Sequence, residues 1–239
     1  MTRIGCVVQA RMGSTRLPGK SMMLLAGKPL LFRVLQRIRR VSVLDEVVLA
    51  TSNLAQDDVL FDLAREMDIP VVRGSENNVA DRYVRAIKEF GFDVVVRIPA
   101  DNYLTEEWAI DLLIEEHLKF RTGFTTNIME VQGSGFPDGL GGEAFEASEF
   151  LALHTENCAS YKDEHVHRHY YSYSEEDNHL LQEGKVRTCI CPNEYSFPKL
   201  RFDINTMSDY AFAVRLFDAL GDNECRFGFP EVLKWLKSQ

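Results

Sequence analysis

No stretch of this 239-residue sequence approaches the roughly 18–20 consecutive apolar residues of a membrane-spanning helix. The short apolar stretch within Met1–Ala10 has no small-residue cleavage pattern behind it, so no secretory signal is expected. Cysteines are scarce, odd in number and irregularly spaced (Cys6, Cys158, Cys189, Cys191, Cys225). Only Cys189 and Cys191 are close, and one intervening residue is not zinc-knuckle spacing. A reduced, cytoplasmic protein is the expectation. Positive charge is also short: 27 Lys and Arg face 36 Asp and Glu, a net charge of −9. That field repels a polyanion, so no nucleic-acid partner and no membrane surface are expected. A small anion in one locally basic pocket remains allowed. Repeats, linkers and low-complexity tracts are absent, which leaves neither a disordered nor a fibrous reading.

What is present is an alternation of apolar runs and amphipathic stretches. Ile4–Gln9, Glu46–Thr51, Ile69–Arg73 and Phe92–Ile98 read as strands. Between and after them, Pro29–Arg40, Asp57–Met67, Val79–Phe90 and Thr105–Phe120 carry apolar residues at helical spacing, with Thr105 as the expected N-cap. Unbroken apolar strands between amphipathic helices predict an α/β fold: a Rossmann-like, mostly parallel sheet with helices on both faces. Ligands of such sheets bind beyond the carboxyl ends of the strands. The second half is more elaborate. Gly133–Gly142 holds five glycines and Pro137, a mobile or tightly turned loop. Glu146–Thr155 and Tyr161–Tyr171 read as helices, Arg187–Cys191 and Leu200–Ile204 as strands, and Asp209–Leu220 and Pro230–Lys237 as helices. One domain over 1–239 is expected, with 1–120 as a nucleotide-binding half and 121–239 as an acceptor-binding and oligomerisation half.

The segment after the first strand, Ala10-Arg11-Met12-Gly13-Ser14-Thr15-Arg16-Leu17-Pro18-Gly19-Lys20, concentrates three cations, two hydroxyls and two glycines. Glycines let backbone N–H groups approach an anion, and Arg and Lys neutralise phosphate. The alternative is a solvated basic loop. It is not a Walker A loop, because five residues separate Gly13 from Gly19 and Pro18 lacks an N–H. It is not a G-x-G-x-x-G fingerprint either.

This segment resembles the signature of the cytidylyltransferases that make CMP-activated sugar acids, the CMP-sialate and CMP-Kdo synthetases. It is more closely similar to the spore coat polysaccharide biosynthesis protein F family among them. Asp45–Ser52, Val72–Ser75, Asp81–Tyr83, Arg97–Asp101, Pro137–Leu140 and Glu164–Val166 match in the same order. The resemblance implies a nucleotide-diphospho-sugar-transferase type of sheet that uses CTP with Mg²⁺. It also implies roles. Ala10, Arg11, Gly13, Ser14, Arg16 and Lys20 would cradle the nucleotide, with Arg73, Ser75, Asp81 and Arg82 along its edge; for Asp81 and Arg82 a surface ion pair is the alternative. Arg11, Arg16, Lys20 and Asp101 would carry the catalysis. Asn102, Asp138, Glu143, Glu164 and His165 would meet the acceptor. Asp101 also ends an apolar strand in the right loop to hold a metal through oxygen, or else serves as a turn residue. Relatives are often dimers, with Gly133–Tyr173 the expected contact region.

The pattern departs from the family in three places. Asn102-Tyr103-Leu104 stands where a Pro-Leu pair is usual, Gly141 where an aspartate commonly follows Asp-Gly-Leu, and Asn205 where a second metal-associated aspartate is usual. Asn can still ligate through its carbonyl oxygen. Asp203, two residues upstream, lies on the same strand face and is a second candidate metal ligand. The alternate histidines His165, His167 and His169 diverge on a helix and are not expected to bind metal. The function expected is Mg²⁺-dependent transfer of CMP from CTP to a sugar acid or related anionic acceptor for surface glycan synthesis. One alternative is a sugar-1-phosphate nucleotidyltransferase using another NTP, although the Gly-Gly-rich first loop of those enzymes is missing. Another is a catalytically impaired nucleotide-binding or assembly protein.

Overall fold

The computed structural model of the chain describes residues 1–127, 133–157, 166, 170–172, 180–181, 186–221 and 226–239. In chain order the elements are β1 (Ile4–Gln9), β2 (Leu24–Leu25), β3 (Lys28–Pro29), α1 (Leu30–Ile38), β4 (Glu46–Ser52), α2 (Asp58–Glu66), β5 (Val71–Gly74), α3 (Val79–Phe90) and β6 (Val94–Pro99). They continue as α4 (Glu107–Phe120), β7 (Phe124–Thr126), β8 (Glu143–Glu146), α5 (Ala147–Asn157), β9 (Tyr171–Ser172), β10 (Leu180–Leu181), β11 (Val186–Thr188), α6 (Met207–Leu220) and α7 (Phe229–Leu236).

β1, β4, β5 and β6 follow the four apolar runs of the first half, and the main sheet has seven strands in the order β11-β7-β8-β6-β1-β4-β5. β1, β4, β5 and β6 are mutually parallel, and β8 runs antiparallel between β6 and β7. Alternation along β1 divides the core in two. Cys6 and Val8 pack with α1, α2, α4, α6 and α7, while Val7 packs with α3 and α5 on the other face. Helices therefore cover both faces, as the sequence predicts. In α1, Leu30, Leu31, Val34, Leu35 and Ile38 are wholly buried, each contributing about 1.5–3 kcal/mol of apolar transfer. α3 starts where Asn78 Oδ1 accepts the Asp81 N–H at 3.0 Å, a side-chain cap that satisfies one free donor.

Chain order from β1 moves one way to β4 and β5, then returns to β6 on the opposite side of β1. That is a topological switch point, where the loops after adjacent strands splay apart and leave a crevice. Gln9 pairs with Pro99, so β1 and β6 end at the same level. The segments that follow, from Ala10 and from Ala100, thus flank one opening.

Some elements differ from expectation. α4 begins at Glu107 with Glu106 as its N-cap, because Thr105 Oγ1 instead donates to the Asn102 carbonyl at 3.0 Å. Glu106 is buried, accepts the Phe229 N–H at 3.0 Å and pairs with Arg37 at 3.6 Å, tying α1, α4 and α7 together. Leu200–Ile204 does not join the sheet; it makes isolated bridges, Asp203 with Asn102 and Arg201 with Asp138. The glycine-rich 133–142 segment packs tightly, with Phe136 and Leu140 buried. Gly139, at φ +93°, lies so close to the Phe202 backbone that a Cβ would fall 2.6 Å from it, so only glycine fits. Cys6, Cys189 and Cys191 are free thiols and buried. Burial pushes Cys189 up to about 12 and Cys191 up to about 11, so neither is a ready nucleophile. Among the described residues no helix is long and apolar enough to cross a membrane.

Candidate active site

The crevice at the ends of β1 and β6 encloses about 170 Å³. Ala10, Arg11, Ser14, Arg16 and Lys20 line it from one side and Asp101 from the other. Gln9, Thr15, Ser21 and Arg97 line it too, and sequence reasoning missed these four. Gln9 and Arg97 sit inside apolar strands, and only their position at the carboxyl end of the sheet could have singled them out.

The loop holds its shape through its own backbone and one buried acid. The Gly19 N–H donates to Met12 O at 2.9 Å, closing the loop. Asp57, wholly buried, accepts the Met12 N–H at 2.8 Å through Oδ1 and both the Ser52 N–H and Ser52 Oγ–H through Oδ2. Asp57 thereby pins the loop after β1 to the end of β4. Arg11 approaches Glu76 at 3.9 Å, and Arg16 is exposed at the rim.

Lys20 crosses the crevice. Its Nζ lies 2.5 Å from Asp101 Oδ2, 2.6 Å from Ile204 O and 3.4 Å from Asn205 Oδ1. Three oxygen acceptors from two distant segments thus converge on one positive charge. An all-oxygen set around a cation is the environment a hard divalent ion such as Mg²⁺ selects, with substrate oxygens completing the shell. Among the described residues no group of three or more His, Cys, Asp or Glu side chains converges. Asp101 and Asn205 fit the role of the ion's protein ligands. Asp203 is engaged elsewhere: Oδ1 accepts from Arg201 Nε at 3.2 Å, and Oδ2 accepts from Arg201 Nη2 at 2.9 Å and from Asn205 Nδ2.

Other predicted residues lie off the crevice lining. Arg73 donates to Ser52 O at 2.8 Å and Leu54 O at 3.0 Å and pairs with Asp58 at 2.7 Å, bracing β5 against the β4–α2 connection. Ser75 Oγ accepts the Asn77 N–H, and Gly13 sits against Glu76 and Gln56. Asp81 pairs with Arg85 at 2.8 Å, one helical turn on. Arg82 is wholly buried, and Nε, Nη1 and Nη2 all lack a hydrogen-bond partner. Desolvation lowers its pKa, with Arg11, Asp57 and Glu76 among the nearby charges.

Of the acceptor set, Asn102 Nδ2 donates to Gly141 O at 3.4 Å, Asp138 pairs with Arg201 at 3.0 Å, and Glu143 pairs with Arg97 at 2.5 Å. Burial, with Asp203 nearby, raises Asp138 to about 6. Glu164 and His165, like His167 and His169, lie outside the described residues. At Gly141 the departure from the family pattern has a steric reason: a Cβ there would fall 2.0 Å from Asn127 Oδ1.

The cytidylyltransferase family model matches residues 5–220. The chain belongs to the cytidylyltransferase family. It is 29% identical over 226 residues to the spore coat polysaccharide biosynthesis protein SpsF of Bacillus subtilis (strain 168), covering 93% of this chain and 89% of that protein. It is 34% identical over 118 residues to the 3-deoxy-manno-octulosonate cytidylyltransferase of Anaeromyxobacter sp. (strain Fw109-5), covering 48% of this chain and 46% of that one. A cytidylyltransferase structure from Leptospira borgpetersenii serovar Hardjo-bovis (strain JB197) superposes with a TM-score of 0.83 at 29% identity, covering 100% of this chain and 95% of the other. The CMP:2-keto-3-deoxy-manno-octonic acid synthetase complexed with CTP shares the fold, with a TM-score of 0.64 at 15% identity over 91% and 99% of the two chains. As a cytidylyltransferase the protein is a nucleotidyltransferase.

Proposed function

We propose that this protein transfers CMP from CTP to a sugar acid or related anionic sugar, releasing pyrophosphate, with Mg²⁺ as cofactor. The observation that carries the reading is the cationic loop of Arg11, Arg16 and Lys20 facing Asp101 across one crevice. The likeness to SpsF and to a 3-deoxy-manno-octulosonate cytidylyltransferase supports cytidine as the nucleoside and a sugar as acceptor.

In this reaction an acceptor hydroxyl oxygen forms a bond to the α-phosphorus. The bond from that phosphorus to the bridging oxygen breaks, and the electron pair leaves with pyrophosphate. The hydroxyl proton passes to solvent. Most of the barrier lies in bringing an oxygen nucleophile up to a highly charged phosphate, so fixed cations and alignment do most of the catalysis. Arg11 and Arg16 lie on the loop side to take the outer phosphates, with bidentate geometry suited to them. Lys20, already at the Asp101 carboxylate, places a compact charge where the α-phosphate meets the acceptor. Asp101 and the Asn205 carbonyl would hold Mg²⁺, which supplies charge neutralisation on the phosphates when bound. Gln9 Oε1, on the crevice lining and without a hydrogen-bond partner, offers a polar contact of the kind a nucleobase or ribose satisfies.

Calorimetric titration with CTP, UTP, ATP and GTP, with and without Mg²⁺, tests the reading, with pyrophosphate release across a panel of sugar acids. The expected result is Mg²⁺-enhanced CTP binding that collapses in Arg16→Ala, and turnover with one acidic sugar. Preference for another NTP with a sugar 1-phosphate would replace it. Tight CTP binding without turnover on any acceptor would indicate an assembly role instead.

A further inference from the structure

The two ends of the Asn205 amide are chemically opposite: one is a carbonyl acceptor, the other a double N–H donor. Only the carbonyl end can serve a cation. The hydrogen bonds assign both ends. Nδ2 donates to Asp203 Oδ2, and Oδ1 faces Lys20 Nζ at 3.4 Å, on the side where Asp101 and the Ile204 carbonyl converge. Asp203 is itself fixed, since Arg201 donates to both of its oxygens and is held in turn by Asp138 at 3.0 Å.

We propose that Asp203 is a positioning residue for the cation site, locking the Asn205 amide so that its carbonyl faces Asp101. The inference rests on reading the crevice as a nucleotidyl-transfer site with a divalent ion. Asp203 does this from outside the ligand set, because its two oxygens already serve Arg201 and the Asn205 amide. An amide released from Asp203 can rotate and present N–H groups to the cation, which repel it. A carboxylate at position 205 would need no such orientation, having an acceptor at either end. It would also stand at hydrogen-bond distance from Asp203, where two like charges oppose each other. The chain therefore pairs a neutral amide at 205 with an acid at 203, and each choice makes sense of the other.

The distinguishing experiment reads the same substitution in two backgrounds. Mn²⁺ is titrated into the CTP-saturated protein and followed by electron paramagnetic resonance. Asp203→Ala should weaken Mn²⁺ binding about 10-fold, as expected when the group orienting a metal ligand is lost. Asp203→Asn keeps an acceptor for the Asn205 amide and should stay near wild type. In the Asn205→Asp background, Asp203→Ala should leave Mn²⁺ affinity unchanged or improve it. With no metal added, one Asn205 side-chain N–H resonance should be shifted downfield and protected from solvent exchange by the bond to Asp203, and both the shift and the protection should be lost in Asp203→Ala. Equal weakening in both backgrounds, or no weakening in the first, overturns the proposal and makes Asp203 a fold contact. A wild-type protein that binds CTP but takes up no Mn²⁺ overturns the metal reading itself, and the positioning role falls with it.

Discussion

Lys20 Nζ and Asp101 Oδ2 meet at 2.5 Å although 81 residues separate them in the chain. Both side chains are mostly shielded, at 13% and 22% exposure, so their attraction is screened less than that of a surface pair. The pairing follows from topology: β1 and β6 are neighbours, and Gln9 lies beside Pro99 at their common end. A cation and a carboxylate are thus held together at the switch point before any substrate binds.

Lys20→Met should therefore lower kcat by about 10²–10³, the usual cost of removing one preorganised charge contact. CTP affinity should change less, because the arginines still bind the phosphates. Lys20→Arg should not restore the rate, since a planar fork cannot reproduce contacts to Asp101 and the Ile204 carbonyl made by one compact ammonium. Pyrophosphate release measured at saturating CTP separates these cases. A fall of less than about tenfold, worth roughly 1.4 kcal/mol, would leave Lys20 as an accessory cation.

Arg82 provides a test of a buried charge. A buried guanidinium with no hydrogen-bond partner is costly to the folded chain. Arg82→Met keeps the bulk and removes the charge, so it should stabilise the protein by about 1–3 kcal/mol, with CTP affinity little changed because Arg82 lies off the crevice lining. Thermal unfolding in the absence of CTP, together with calorimetry, reads both. A destabilised variant would show that the guanidinium is compensated in the fold, and a loss of CTP binding would place it in the site.

The first half of the molecule was legible because burial on both sheet faces writes itself as unbroken apolar runs, such as Val94–Ile98. The basic loop was legible because its composition contrasts with an acidic chain. Less could be read where a side chain's partner lies far along the sequence. Arg73 reads as a residue along the nucleotide's edge, and its bonds to Ser52 O and Leu54 O on the β4–α2 connection have no local signal. Asp57 resembles a helix-start acid, yet its carboxylate reaches back to Met12. β8 was hidden because its two glutamates leave no apolar run, and the charge of buried Glu143 is met by Arg97 far back in the chain. The environment of Asp203 depends on Arg201 and, through it, on Asp138, and no local pattern announces that arrangement.

Glu106 should make stability fall as pH rises from about 4.5 to about 7. Burial raises its carboxyl from 4.5 to about 7, while Arg37 and the Phe229 N–H oppose the shift. Across that window the unfolded chain has already released the proton that the folded chain retains. Stability is therefore fully present below the window and is lost through it, by up to about 3 kcal/mol. Glu106→Gln keeps an acceptor for the Phe229 N–H and should flatten this part of the profile. Urea unfolding at about pH 5, about pH 6 and about pH 7.5 compares the two chains; parallel profiles would mean that other groups dominate.

The glycine at 141 and the asparagine at 127 should be energetically coupled. Gly141 is not among the residues with positive φ, so alanine could adopt its backbone conformation without strain. The obstacle is the Asn127 amide, held in place by donating to Ala109 O at 2.7 Å and accepting the Gly142 N–H at 2.8 Å. Gly141→Ala should cost about 1–3 kcal/mol through overpacking. Asn127→Ala should cost a similar amount by leaving the Gly142 N–H without its partner. In the Asn127→Ala background the added methyl has room, so the double variant should be more stable than the sum of the single losses by about 1 kcal/mol or more. Strict additivity in urea unfolding would show that the Asn127 amide does not bar a side chain at 141. Coupling would show that the space beside Gly141 is filled by an amide that anchors α4 to the turn entering β8.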